Sequence, residues 1–310
     1  MASRYEFGGL SVASDVRIEG LHEARALNRA RDADISVALA SGAAPAARTH
    51  LFQWPGRYRL SLGRLGSDWL FSSSLGAAFR VCAGGRRVAA YAGDRPPDIG
   101  FMDVLTRRVL PRIAILHGAV PIHAAAVANG DGALLVSAPS GFGKSTLAAV
   151  MARRPGWSVL SDDISVLSSA DGRTMASPTA SGVCLRPESR GALGLRDTEC
   201  RSMPGYDDKL WFEPDAAVAM PRPLRAFVAL ARRADIDAPI LKPLTPAEGF
   251  MLATNQLIHF NPKASADGAI AQMMDRLSRA LDGVPSYVLA CPDRLEALGA
   301  GAEALAGLVD

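Results

Sequence analysis

The chain has 310 residues, 49% of them hydrophobic, and a net charge of +3: enough apolar content for one large domain or two ordinary ones, and too little charge to call for a nucleic-acid partner. Its four cysteines, Cys82, Cys184, Cys200 and Cys291, lie far apart with no C-x-x-C spacing, which argues against a disulfide framework or a zinc site and for a reducing compartment. The first residues carry no apolar signal-peptide core, and no apolar run reaches the roughly 18 residues of a membrane helix, so the expectation is a cytoplasmic protein with no membrane partner.

Residues 1–115 read as a β-rich, irregular N-terminal region and a candidate substrate-binding part. Strand-like composition recurs at Leu10–Ile18, Tyr58–Leu62, Trp69–Ser72, Phe79–Cys82 and Val88–Tyr91, between Gly, Pro and Asp punctuation. Gly20–Arg31 is expected to be a short helix, and residues 41–48 a loop or linker. From Ile99 to His117, Phe101, Val104, Leu105, Val109, Leu110 and Ile113 recur at helical intervals, with Pro111 expected to kink or end the helix.

The second region, residues 116–310, changes character. Two apolar runs, Ile122–Val127 and Gly132–Ser137, flank Asn129-Gly130-Asp131-Gly132, a hairpin turn signal, and His123 falls on the first of them. A glycine-rich loop, a helix over Ser145–Arg154, a short strand over Trp157–Leu160 and another over Ile164–Leu167 follow; strand, loop, helix, strand is the pattern of a nucleotide-binding α/β domain. Further on, Leu224–Leu230 and Ser286–Ala290 read as strands, and Pro246–Phe260, Ala264–Leu281 and Asp293–Leu308 as helices.

The loop itself is the most informative segment. Ala138-Pro139-Ser140-Gly141-Phe142-Gly143-Lys144-Ser145-Thr146 meets the phosphate-loop pattern G-x-x-x-x-G-K-[S/T] except at its first position. Gly141 and Gly143 let backbone N–H groups turn toward phosphate oxygens, and the next helix presents its positive end to the same anion. Lys144 is placed to reach the β- and γ-phosphates, and Ser145 to ligate Mg²⁺; Ser140, Phe142 and Thr146 complete the nucleotide-binding set. With four lysines against thirty arginines, a lysine in this chain is more apt than usual to sit where a compact charge is wanted. Asp162 and Asp163 close the strand after the loop helix, where one carboxylate can hold a metal and the other can take a proton from an attacking hydroxyl; a solvated turn is the plainer alternative. His123 alone reads as a core histidine. Asp207-Asp208-Lys209 reads equally as an exposed loop or as a group near transferred phosphate.

Together the Ile122-His123-Ala124-Ala125-Ala126-Val127 strand, the loop at 140–146, Ser161-Asp162-Asp163 and the later Asp208-Lys209 resemble the catalytic domain of HPr kinase/phosphorylase. They are more similar still to the stand-alone HPr-kinase-like proteins found with lasso-peptide biosynthesis genes, over about residues 115–215. The resemblance implies an α/β P-loop catalytic domain that uses ATP and Mg²⁺ to phosphorylate the serine hydroxyl of a peptide or protein, here the C-terminal serine of a lasso precursor. It implies Asp162 as general base, Asp163 on the metal side with Ser145, His123 as a partner of the carboxylates and Lys209 near the phosphate, and it leaves a homo-oligomer open. Arg190–Leu195 only echoes the family's second signature, so phosphorolysis is not expected, and the unlike leader makes HPr an unexpected substrate. A small-molecule kinase shares these motifs. A nucleotide-binding regulatory module has no need of the adjacent carboxylates.

Overall fold

The computed structural model describes residues 2–24, 32–54, 59–74, 76–93, 97–130, 132–202, 209–214, 220–261 and 268–309. The N-terminal strands are β1 (Ser3–Phe7), β2 (Leu10–Ser14), β3 (His22–Glu23), β4 (Ile35–Leu39), β5 (Thr49–Gln53), β6 (Ser61–Leu65), β7 (Asp68–Ser72), β8 (Ala78–Val81) and β9 (Arg87–Tyr91). Among the described residues they form one nine-stranded sheet in the order β3-β1-β2-β4-β9-β8-β7-β6-β5. The expected irregular region is thus a continuous sheet. The expected helix at Gly20–Arg31 is replaced at its start by β3, which pairs with β1, and residues 25–31 lie outside the described residues.

One face of this sheet packs on a helical segment: α1 (Ile99–Val104), a π-helical turn (Leu105–Val109) and α2 (Leu110–Leu116). Asp98 starts it by accepting the Phe101 N–H at 2.8 Å. The six apolar residues that define the helical spacing are all buried, in one core with Phe7, Phe71 and Phe79 of the sheet. Pro111 does not end the helical segment; it falls at the start of α2, directly after the π-turn.

The second sheet comprises β10 (Val120–Ile122), β11 (Ala124–Asn129), β12 (Gly132–Ser137), β13 (Trp157–Ser161), β14 (Ser165–Ala170) and β15 (Arg173–Ser177), and later β19 (Arg222–Arg233), β20 (Ile240–Leu244) and β21 (Ser286–Pro292). Its path runs β10-β14-β15-β19-β12-β11-β13, with β21 beside β19 and β20 beyond it. The hairpin forms where the turn signal stands, with Asn129 opposite Gly132. Because β11 is antiparallel to both β12 and β13, those two run parallel, and α3 (Lys144–Ala152) crosses between them. Side chains alternate across the sheet as a two-residue period requires: Leu134, Val136 and Val228 pack with α3 and α7 (Ala297–Ala306), whereas Ala133, Leu135 and Phe227 pack with α5 (Pro246–Thr254) and α6 (Ala269–Leu281). The sheet is therefore the middle of three layers. A small sheet of β16 (Val183–Leu185), β17 (Cys200–Ser202) and β18 (Leu210–Phe212), with α4 (Pro187–Ala192), stands beside the glycine-rich loop. The expected helix over Pro246–Phe260 stops at Thr254, and no described helix is long and apolar enough to cross a membrane.

Candidate active site

Five segments converge at one end of the second sheet. The loop after β12 turns through Gly141 (φ 85°) and Gly143 (φ 97°), left-handed conformations that favour glycine. A Cβ on Gly143 would meet an Arg232 guanidinium nitrogen at 3.4 Å, an ordinary contact, so the backbone conformation is what calls for glycine there. Ser140 and Gly141 are exposed at the crest of the loop; Phe142 is half-buried, and its carbonyl accepts from Arg232 Nε at 3.3 Å. Gly143 caps α3, whose first-turn N–H groups have no acceptor within the helix and point toward the loop. Thr146 faces the other way: it is buried and its Oγ1 lies 2.8 Å from Ser189 Oγ on α4.

Lys144 is 7% exposed, with its ammonium donating to the Ala138 and Pro139 carbonyls at 2.8 and 3.3 Å and to His123 Nε2 at 3.1 Å. Burial lowers its pKa, and the two aspartates oppose that shift. His123 lies in the break between β10 and β11 and not on a hairpin strand, so its ring leaves the apolar sheet. With Nε2 accepting from Lys144, the ring proton sits on Nδ1, which donates to the Asp163 carbonyl at 2.8 Å and is 3.2 Å from its carboxylate.

The two aspartates occupy different environments. Asp162 is 5% exposed; its Oδ1 accepts from Ser145 Oγ at 2.7 Å and its Oδ2 from the Cys184 N–H at 2.9 Å. Burial and the neighbouring Asp163 charge push its carboxyl up. Asp163 sits at φ 67°, inside a tight turn closed by Ile164 N–H on the Asp162 carbonyl at 2.8 Å, a left-handed position that a short polar side chain tolerates at a cost of about 1 kcal/mol. This turn sends the second carboxylate away from the first. Burial would raise its pKa too, but the Arg107 guanidinium at 2.6 Å, His123 and the Lys209 charge hold it well below the usual carboxylate range.

Arg107 was not legible as a site residue. It lies on the π-turn, also binds Asp103 at 2.9 Å, and contacts the Cys184 sulfur. A π-turn inserts an extra residue and re-aims the side chains around it, and here it delivers an arginine of the N-terminal helix to a carboxylate 56 positions away. Cys184 has its thiol pushed up to about 11 by burial, so it stays protonated at neutral pH. Lys209, half-buried just before β18, is brought to the same place: its charge acts on Lys144 and Asp163. Asp207 and Asp208 lie outside the described residues.

The donor set suits a phosphate–magnesium ligand. Mg²⁺ keeps several waters and takes one or two protein oxygens beside phosphate, and the Ser145 hydroxyl in the first turn of α3 would be one of them. Among the described residues no cluster of three or more His, Cys, Asp or Glu offers an all-protein metal cage.

No family model matches the chain, and no curated protein does. Among solved structures, the HPr(Ser) kinase/phosphatase from Coxiella burnetii aligns over 60% of this chain and 95% of its own, at 11% identity and a TM-score of 0.33. A correspondence this loose leaves the functional reading to the site itself.

Proposed function

We propose that the protein is an ATP- and Mg²⁺-dependent kinase that transfers phosphate to the serine hydroxyl of a peptide or protein. The observation that carries this reading is the meeting of Ser145 Oγ and Asp162 Oδ1 at 2.7 Å, at the mouth of a glycine loop whose lysine is tied to a histidine and whose second aspartate is tied to an arginine. Lys144 exchanges its loop carbonyls for phosphate oxygens, and the first turn of α3 supplies N–H donors to the same group. Ser145 would hold Mg²⁺ beside the phosphates, and the ion would supply neutralisation of the charge developing on the transferred group. Asp162, with its raised affinity for a proton, takes the proton from the acceptor hydroxyl as the oxygen bonds to the γ-phosphorus; the bond to the β,γ-bridging oxygen breaks and its electron pair leaves with ADP. Asp163, kept ionised, and His123 hold the lysine side of the site.

One observation favours the reverse division of labour: the hydroxyl of the metal-binding serine is already on Asp162. The narrower acceptor, the C-terminal serine of a lasso precursor, rests on the motif resemblance alone. The test is ligand-dependent stability followed by product chemistry. ATP or ADP with Mg²⁺ at a hundred times its Kd is expected to add about 2.7 kcal/mol to wild-type stability, and nothing to Lys144→Ala. Phosphate on the product is expected to survive acid, as on serine. Absence of a nucleotide shift in the wild type, or an acid-labile product, contradicts the proposal.

A further inference from the structure

A cleft of about 550 Å³ reaches Asp162, and no residue of the phosphate loop is among those that line it. Its walls come from three places: Phe7, Val16 and Leu21 of the N-terminal sheet and the chain following it, Met102 of α1, and Trp211 of β18. Asp162 and Arg107 are among its lining residues, so the cleft and the candidate active site share a carboxylate that also meets Ser145.

Most charged groups lining this cleft are engaged within the protein, and the remaining two, Arg17 and Glu19, are of opposite sign. Arg107 binds Asp103 and Asp163, Arg201 binds Glu213 at 3.0 Å, and Asp98 caps α1. What is left to contact an occupant is mainly apolar wall. Three arginines stand against four carboxylates along it, so a nucleotide or other polyanion finds no surplus positive charge here. The volume lies within the range of small-ligand sites, about 300–1,000 Å³, so a short stretch of chain enters and not a folded surface.

We infer that this cleft is the acceptor site and that it takes a peptide segment in which a bulky apolar side chain adjoins the acceptor serine. The apolar side chain seats between Val16, Met102 and Trp211, and the serine hydroxyl then reaches Asp162. The N-terminal sheet thereby acts as the specificity half of the enzyme. The inference rests on the kinase reading above and adds the identity of the acceptor and the residues that select it.

The test uses the full chain, ATP with Mg²⁺, and two synthetic peptide pools, each peptide carrying one serine flanked by Leu or Phe in one pool and by Gly in the other; free serine is a third acceptor. The Leu/Phe pool is expected to react at a kcat/KM about tenfold or more above the Gly pool, the effect of burying one large apolar side chain. Val16→Trp, which fills the cleft from a half-buried position, is expected to raise KM for the preferred peptides by about tenfold or more while keeping the ATP-dependent thermal shift. Val16→Ala is expected to relax the preference. Equal reaction of both pools, phosphorylation of free serine alone, or an unchanged KM in a folded Val16→Trp overturns the inference and leaves the kinase standing. Should Val16→Trp not fold, the pool comparison on the wild type decides by itself. A wild type with no ATP-dependent shift removes the kinase reading, and the acceptor site falls with it.

Discussion

Asp162 and Asp163 differ by one position, and their surroundings shift their pKa values in opposite directions. Burial and a like charge raise the folded-state pKa of Asp162, so its ionisation weakens the fold as pH rises through that value. The Asp163 pKa is lowered, so its ion pair with Arg107 stabilises the fold above the unfolded carboxylate range and is lost as pH falls. Asp162→Asn removes the first effect and keeps both hydrogen bonds, its amide donating to Ser145 Oγ and its carbonyl accepting from Cys184. The variant is expected to melt above the wild type by about 2 °C or more near pH 8, with the gap closing toward pH 4. Thermal melts across that range check it; a variant less stable than wild type at pH 8 contradicts the assigned strain. Lys144, Ser145 and the aspartates were legible in the sequence because one contiguous loop and one strand end encode their chemistry. Arg107 was not, because an arginine in a helix carries no mark of the partner it meets across the fold.

The elements around the loop were legible for a related reason. A strong turn signal fixes the β11–β12 hairpin, and the continuous apolar run of β12 fits a strand covered on both faces. The π-turn left no trace, because the apolar spacing of residues 101–113 reads as an ordinary helix and the extra residue is decided by packing against the sheet. His123 was misplaced by one break: an apolar run through it hides the gap between β10 and β11. Phe227 tests how far the three-layer packing holds the site together. It is fully buried on β19, between β12 and β21. Phe227→Ala is expected to cost about 3–5 kcal/mol, read from denaturant unfolding. A cost under about 1 kcal/mol contradicts a close-packed face at this strand.

At the scale of the whole molecule, the least legible feature was the union of the N-terminal strands into one sheet. Five strand-like stretches were visible, but the sheet depends on the parallel pairs β2–β4 and β4–β9, between segments far apart in sequence, and no local pattern specifies such pairings. The helical segment from this half carries Arg107 into the other half's site, and the cleft is walled by both. The proposed phosphoryl transfer is therefore a property of the joined halves, in which the loop would hold nucleotide and Asp162 would take the acceptor proton. The most direct test of that claim is the rate of phosphate transfer from ATP–Mg²⁺ to a serine peptide by wild type, Asp162→Asn and Asp163→Asn, with nucleotide affinity measured on the same samples. Asp162→Asn is expected to bind nucleotide as wild type does and to lose about 10²–10⁴ in rate, the usual loss for a general base, while Asp163→Asn also weakens the Mg²⁺ dependence of binding. If Asp162→Asn keeps more than about a tenth of the wild-type rate, a far smaller loss than a missing base causes, the central claim is wrong.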